Sequence, residues 1–359
     1  MRRLLFVLFA FSAFFLTGCA EYSAVILGDT HYDNADPEYY HAGYTDPKPT
    51  REAAHREEFV RNGKMWQERC PRLVKRASAL VDDNTRYVLQ VGDLIQGDTS
   101  DSLTHVRFLG DAVNLLKAGV APGLPFVTTP GNHDLRGNDD ALCRRAYKAY
   151  MPGRMSKELG QDISSVNFLF RNGPDAFVVV NFTKPDVEEI KSLLNQARGA
   201  RHVFVLIHSP VFPYDDPTYY WFLLGGRKDS HAEERREMRK LLASLNAIVL
   251  CGHTHYTELL DWEGDGGRIT QMTMSSVWTT DSQARYKELA SGADGYGKMF
   301  AEQNGGACPP IFEEYRPGVR RYSIADSVGS YKLIVDGPRV YVDFYAGDSV
   351  GRTKRFVLR

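Results

Sequence analysis

The chain has 359 residues, 43% of them apolar, which is long enough for one large domain or two small ones with a sizeable core in either case. Its 44 basic and 45 acidic residues leave a formal net charge of -1, so no long-range field draws it to a nucleic-acid backbone, and no stable nucleic-acid complex is expected.

Met1-Arg2-Arg3 followed by an apolar run from Leu4 to Leu16 has the pattern of a secretory signal. The run is short of the roughly 20 apolar residues that a membrane-spanning helix needs. It ends in Leu16-Thr17-Gly18-Cys19, which resembles the lipobox of bacterial lipoproteins. Residues 1–19 are therefore expected to be a signal peptide, the mature chain being either lipid-anchored through Cys19 or plainly secreted. The remainder, 22–359, is expected as a single domain in the periplasm or cell envelope. Short apolar runs rich in β-branched residues then recur at Ala24 to Leu27, Tyr87 to Val91, Pro125 to Thr128, Phe177 to Asn181, Val203 to Ile207 and Ala247 to Cys251, and each predicts a buried strand. Helical patterns lie between them at Arg51 to Val81 (with a break at Pro71), Ser102 to Lys117, Asp186 to Gln196 and Ala232 to Leu245. This alternation places the chain in the α/β class. Near the end, Tyr331 to Val335 and Val340 to Phe344 flank Asp336-Gly337-Pro338-Arg339 and predict a hairpin, and Lys354 to Leu358 predicts an edge strand. Residues 32–50, 211–230 and 281–317 are rich in Gly, Pro, Asp and Tyr and read as long loops, a length that is uncommon unless functional or disordered. Cys70, Cys143, Cys251 and Cys308 form an even set without CxxC spacing; Cys251 closes an apolar run and reads as buried, the others as more accessible.

Chemistry gathers where the predicted strands stop. Val25-Ile26-Leu27 runs into Gly28-Asp29-Thr30-His31, and Val88-Leu89-Gln90-Val91 into Gly92-Asp93. The same switch repeats at Pro130-Gly131-Asn132-His133-Asp134, at His208, and at Gly252-His253-Thr254-His255. The carboxyl ends of strands in an α/β sheet are where ligands bind, so these clusters should converge on one edge. Among them, Asp29, His31, Asp93, Asn132, His208, His253 and His255 offer two carboxylates, one carboxamide oxygen and four imidazoles, a mixed oxygen and nitrogen set suited to Mn, Fe or Zn. Gly28, Gly92, Gly131 and Gly252 are expected at these positions because the backbone turns sharply there.

The ordered series Asp29-x-His31, Gly92-Asp93, Gly131-Asn132-His133-Asp134, His208 and Gly252-His253-x-His255 resembles the calcineurin-like metallophosphoesterase superfamily. Five motifs in order over roughly Val25 to His255 are far more specific than any one of them. The resemblance implies a four-layer α/β/β/α sandwich of two mixed sheets flanked by helices. It also implies two divalent metal ions, one held by Asp29, His31 and His255, the other by Asn132, His208 and His253, with Asp93 bridging. A hydroxide between the metals would attack phosphorus, and His133, oriented by Asp134, would stand on the leaving-group side. The implied reaction is hydrolysis of a phosphomonoester or phosphodiester, soluble or wall-linked. The alternative is a metal-dependent ligand-binding or sensing protein with little turnover.

The second motif departs from the family's common Gly-Asp-x-x-Asp-x-Gly, with Gln96 at the second acid and Asp98 at the last Gly. Gln96 also stands where the purple acid phosphatases carry a Tyr, which disfavours that branch. Tyr32, Tyr39, Tyr40, His41 and Tyr44 read either as a stacking pocket or as surface-loop packing. Tyr219, Tyr220 and Trp221, near Arg227 and Lys228, read either as a cap over the site or as simple packing.

Overall fold

The computed structural model describes residues 22–46, 48–225, 231–275 and 284–359. The expected signal peptide, Cys19, Arg227 and Lys228 lie outside the described residues. No helix among the described residues is long and apolar enough to cross a membrane.

Two mixed sheets form the centre. The first contains β1 (Tyr22–Leu27), β2 (Thr85–Gln90), β3 (Phe126–Thr128) and the C-terminal strands β12 (Gly329–Asp336), β13 (Arg339–Ala346) and β14 (Lys354–Val357), in the order β14-β13-β12-β1-β2-β3. The second contains β4 (Phe168–Asn172), β5 (Asp175–Val180), β6 (Val203–Ile207), β7 (Ile248–Cys251), β8 (Thr257–Gly264), β9 (Gly267–Thr273), β10 (Glu288–Ser291) and β11 (Val319–Ala325), in the order β10-β11-β8-β9-β7-β6-β5-β4. Strands β1, β2 and β3 run parallel, as do β5, β6, β7 and β9, so the loops that follow them leave from one edge of each sheet.

The near-continuous apolar runs are explained by burial on both strand faces. Phe177, Val179, Phe204, Leu206, Ile248 and Leu250 pack with residues of the first sheet, whereas their neighbours Val178, Val180, Val205, Ile207 and Val249 pack beneath helices. Helices α2 (Glu52–Ser78), α3 (Ser102–Val120) and α4 (Asp140–Leu159) cover the first sheet, while α5 (Val187–Gln196) and α7 (Ala232–Ser244) cover the second. This is the four-layer arrangement that the motif series implied.

Several elements differ from the sequence reading. Helix α2 continues through Pro71 rather than breaking there. Phe59, Gly63, Trp66, Cys70, Leu73 and Ala77 form one buried stripe on both sides of the proline, and its packing outweighs the roughly 3 kcal/mol that an interior proline costs. Cys70 and Cys143 are buried, not accessible, and all four cysteines are free thiols. The expected loops contain order: α1 (Glu38–His41) and α6 (Asp216–Trp221) in the first two, and β10, α8 (Lys298–Gln303) and α9 (Pro310–Tyr315) in the third. Of the aromatic residues after β1, Tyr40 and His41 resolve as packing, whereas Tyr44 lines a cavity. Tyr40 stacks on Phe108 and His41 on Phe59, with ring centroids 3.7 and 3.8 Å apart.

Glu258 of β8 is fully buried. Its Oε2 accepts from the Thr273 hydroxyl at 2.7 Å and the Gln271 amide at 3.3 Å, while Oε1 has no partner. Burial raises its carboxyl from the ordinary 4.5 to about 8. A raised folded-state value means that the neutral acid contributes stability in full below the ordinary value and loses it as pH climbs toward about 8. Glu258→Gln removes that titration, so its unfolding free energy, read from thermal melts, should gain on the parent's between about pH 5 and about pH 8, by an amount on the order of a few kcal/mol. A pH-independent difference in thermal melts would contradict the assignment.

Candidate metal centre

The loops after β1, β2, β3, β6 and β7 meet at the seam between the two sheets. The Asp93 carbonyl accepts the N–H groups of Thr30 and His31 at 3.0 and 2.8 Å, which ties the first two loops together, and Tyr32 N–H donates to the Leu94 carbonyl at 2.9 Å. The Asp29 carboxylate in turn accepts the His253 N–H at 3.0 Å, a link from the first sheet to the second. Four of the residues singled out by the motifs hold left-handed backbone: His31 at φ 42°, Asp93 at 50°, His253 at 79° and His255 at 61°. Non-glycine residues reach that region at a cost and stay there only where the surroundings over-determine them.

The glycines of the motifs act mostly through space rather than through turning. Gly92, at φ 93°, does need the left-handed region, but Gly28, Gly131 and Gly252 have no positive φ. A Cβ on Gly131 would lie 2.1 Å from Asp93 N and 2.2 Å from its Oδ1, and one on Gly252 would lie 2.1 Å from Asp29 Oδ1. These two glycines give the carboxylates their room.

The side chains form overlapping groups of potential ligands, Asp29 with His31 and His255 at one end and Asp93 with His208 and His253 at the other, with His31, Asp93 and His133 as a third group between them, the ligand atoms of each lying within 4.8 Å of one another. In the first, His31 Nε2 and His255 Nε2 are 3.2 Å apart, and His255 Nε2 is 3.2 Å from Asp29 Oδ2. In the second, His208 Nε2 lies 3.2 Å from His253 Nδ1 and 3.1 Å from Asp93 Oδ2. The same Asp93 oxygen is 3.8 Å from His31 Nε2, so it stands between the clusters. The Asn132 Oδ1 oxygen is buried with no hydrogen-bond partner. An orphaned carbonyl oxygen and imidazole nitrogens turned toward one another are what a site for cations leaves behind, and the donor set fits divalent ions.

The electrostatics agree. Burial pushes His31 down to about 4 and His253 down to about 3, leaving both as neutral imidazoles with a lone pair to give. His208 is also desolvated, but the charges of Asp93 and Asp29 outweigh burial and raise it to about 9. Its Nδ1 is 2.9 Å from the Val91 carbonyl, to which it donates, so Nε2 is the nitrogen offered to the cluster.

His133 lies at the rim of this group, its ring edge-on to His31 at 4.4 Å. Its backbone N–H donates to Asp93 Oδ1 at 2.8 Å and its Nδ1 to the Gln96 carbonyl at 2.9 Å. The orienting contact expected from Asp134 is thus made by a backbone oxygen. Asp134 instead accepts the Ile95 and Gly131 N–H groups at 3.0 and 2.8 Å and fastens the loop after β2 to the loop after β3. Gln90 was passed over in the sequence, yet its amide brackets Gly92: Oε1 accepts the Gly92 N–H at 3.0 Å and Nε2 donates to the Gly92 carbonyl at 2.6 Å. A glutamine in the otherwise apolar run Tyr87 to Val91 was the available signal.

Residues 22–257 match the calcineurin-like phosphoesterase family. The chain belongs to that family. No curated protein matches its sequence. Among solved structures, the purple acid phosphatase PPD1 from yellow lupin (Lupinus luteus) seeds is 14% identical with a TM-score of 0.52, over 94% of this chain and 53% of that one. PhoD is 12% identical with a TM-score of 0.53, over 94% of this chain and 68% of that one. This family member therefore spans about half the length of the lupin phosphatase, and at such identities the likeness is one of fold.

The close approach of backbone to carboxylate is testable in the family's last motif. Gly252→Ala should displace Asp29 and lower the affinity for Mn by about 10-fold or more in calorimetric titration, the range seen when groups that orient ligands are lost. Gly153→Ala, in α4 with nothing within 4 Å, should leave Mn affinity intact and add roughly 0.5–1 kcal/mol of stability. Equal Mn affinity in both variants would contradict the packing argument.

Proposed function

We propose that the chain hydrolyses a phosphomonoester or phosphodiester, soluble or wall-linked, at a dinuclear divalent metal centre. The observation that carries this reading is the place of Asp93 Oδ2, 3.1 Å from a nitrogen of one cluster and 3.8 Å from a nitrogen of the other. Asp29, His31 and His255 would hold one ion, Asn132, His208 and His253 the second, and Asp93 both. Bound there, two such ions supply a strong nucleophile from water near neutral pH and neutralise phosphoryl charge.

The chain's own residues do the rest. Asp29 and Asp93 provide the negative charge that retains the cations, and imidazoles add ligands without adding more; His208, raised to about 9, must shed its Nε2 proton to join them. With Nδ1 committed to the Gln96 carbonyl, His133 has Nε2 free to take up a proton and return it to the leaving oxygen. Burial and the nearby Arg136 charge hold His133 well below the ordinary imidazole value, so it starts neutral and begins by accepting. The leader pattern of residues 1–19 supports placing this activity outside the cytoplasm.

Metal-stripped protein should be silent toward para-nitrophenyl phosphate and bis-para-nitrophenyl phosphate and regain activity with Mn, Zn, Fe or Mg. Asp93→Asn should lower the restored kcat by about 10²-fold or more, the order of a lost electrostatic stabiliser. Activity that survives chelation would overturn the reading. Metal binding without turnover of any ester would favour the metal-dependent binding protein instead.

A further inference from the structure

The metal cluster opens in two directions, and the two openings share Asn132. On one side a cavity of about 320 Å³ is lined by His133, His31 and His255 together with Glu58, Arg61 and Met65 of α2. On the other a cavity of about 390 Å³ runs past Arg136 and Thr183 to Arg144 and Trp221. Beyond those last residues it meets a further cavity of about 710 Å³, for which Arg144, Thr183 and Trp221 also serve as wall. A phosphomonoester has one alcohol to accommodate and needs one such arm. A phosphodiester has two alcohols on the same phosphorus and needs both.

The second arm carries groups that suit a planar ring. The Trp221 indole is 51% exposed although its ring lies only 6.3 Å from that of His253, so a large apolar face stands open beside the cluster. Its backbone is fixed, since the Trp221 carbonyl accepts the Ser209 hydroxyl. Within the arm, Arg136 is spent on Asp98 through contacts of 3.0 and 2.6 Å. Arg144 reaches Asp140 only at 4.0 Å, which leaves its donors available to a ligand. The Thr183 hydroxyl at the same junction is buried without a partner. An open indole face, an available guanidinium and an orphaned hydroxyl recognise a ring that bears polar substituents, as a nucleobase does.

We infer that the substrate is a phosphodiester whose retained alcohol bears such a ring, stacked on Trp221, while the leaving alcohol lies in the α2 arm beside His133. The inference rests on the phosphoesterase reading above and narrows it. In the step itself a water oxygen forms a bond to phosphorus, and the bond from phosphorus to the α2-side oxygen breaks with its electron pair. One proton of that water reaches the departing oxygen by way of His133 Nε2 and the other passes to solvent, giving a free alcohol and a ring-bearing monoester.

The test compares three esters with the same leaving group on the full, Mn-loaded chain: para-nitrophenyl phosphate, methyl para-nitrophenyl phosphate and thymidine 5′-(para-nitrophenyl) phosphate. The thymidine diester should exceed the methyl diester in kcat/KM by about tenfold or more, the size expected for one base stacked on an aromatic side chain. Trp221→Ala should collapse that ratio toward one through KM, and Trp221→Phe should restore most of it. Equal rates for the two diesters, a better monoester, or a Trp221→Ala variant that loses both diesters in proportion would overturn the inference while leaving a phosphoesterase. No turnover of any of the three would defeat the phosphoesterase reading and this one with it.

Discussion

Two carboxylates, Asp29 and Asp93, are buried among imidazoles at the seam of two sheets, and most of the local structure follows from that. Taking an anion out of water costs several kcal/mol unless N–H donors and cations replace the solvent. The chain supplies the donors from several loops. His253 N–H serves Asp29, and His133 N–H serves Asp93. The Asp93 carbonyl meanwhile anchors the first loop. Each carboxylate thus fastens together loops from distant parts of the chain, and the left-handed backbone at four neighbouring positions is the strain that this fastening sustains.

The outer layers serve the same seam. Strands buried on both faces hold their carboxyl ends rigidly, so loops that are free to vary are mounted on an edge that is not. The packed aromatics of α1 stack on Phe59 of α2 and Phe108 of α3 and so tie the two helices together, and α2 forms one wall of the cavity over His133. On the other side α6 ends at Trp221, and Asp215 caps that helix through the Thr218 N–H at 2.9 Å, so a short helix in an otherwise irregular stretch presents the exposed indole.

The strand ends and the residues that gather at them were legible in the sequence because a buried strand and a polar turn contrast sharply within a few positions. What was not legible depends on distance along the chain. The turn at Asp265-Gly266 between β8 and β9 is a local signal that was passed over. Helix α4 was hidden by Pro152 and Gly153 within a polar stretch, and its buried side appears only once α3 is beside it. Gly131 and Gly252 carry no mark in the sequence of the carboxylates that approach them. Likewise Asp134 stands next to His133 in the chain, but its carboxylate bonds two backbone amides of other loop positions, and adjacency in sequence gave the wrong partner.

Asp93 is proposed to join two ions into one centre. Electron paramagnetic resonance of the Mn-loaded protein, titrated to saturation, tests it most directly. Two ions per chain with an exchange-coupled spectrum are expected, and loss of the coupling in Asp93→Asn. Saturation at one ion, or two ions whose spectra are uncoupled in the parent chain, would contradict it.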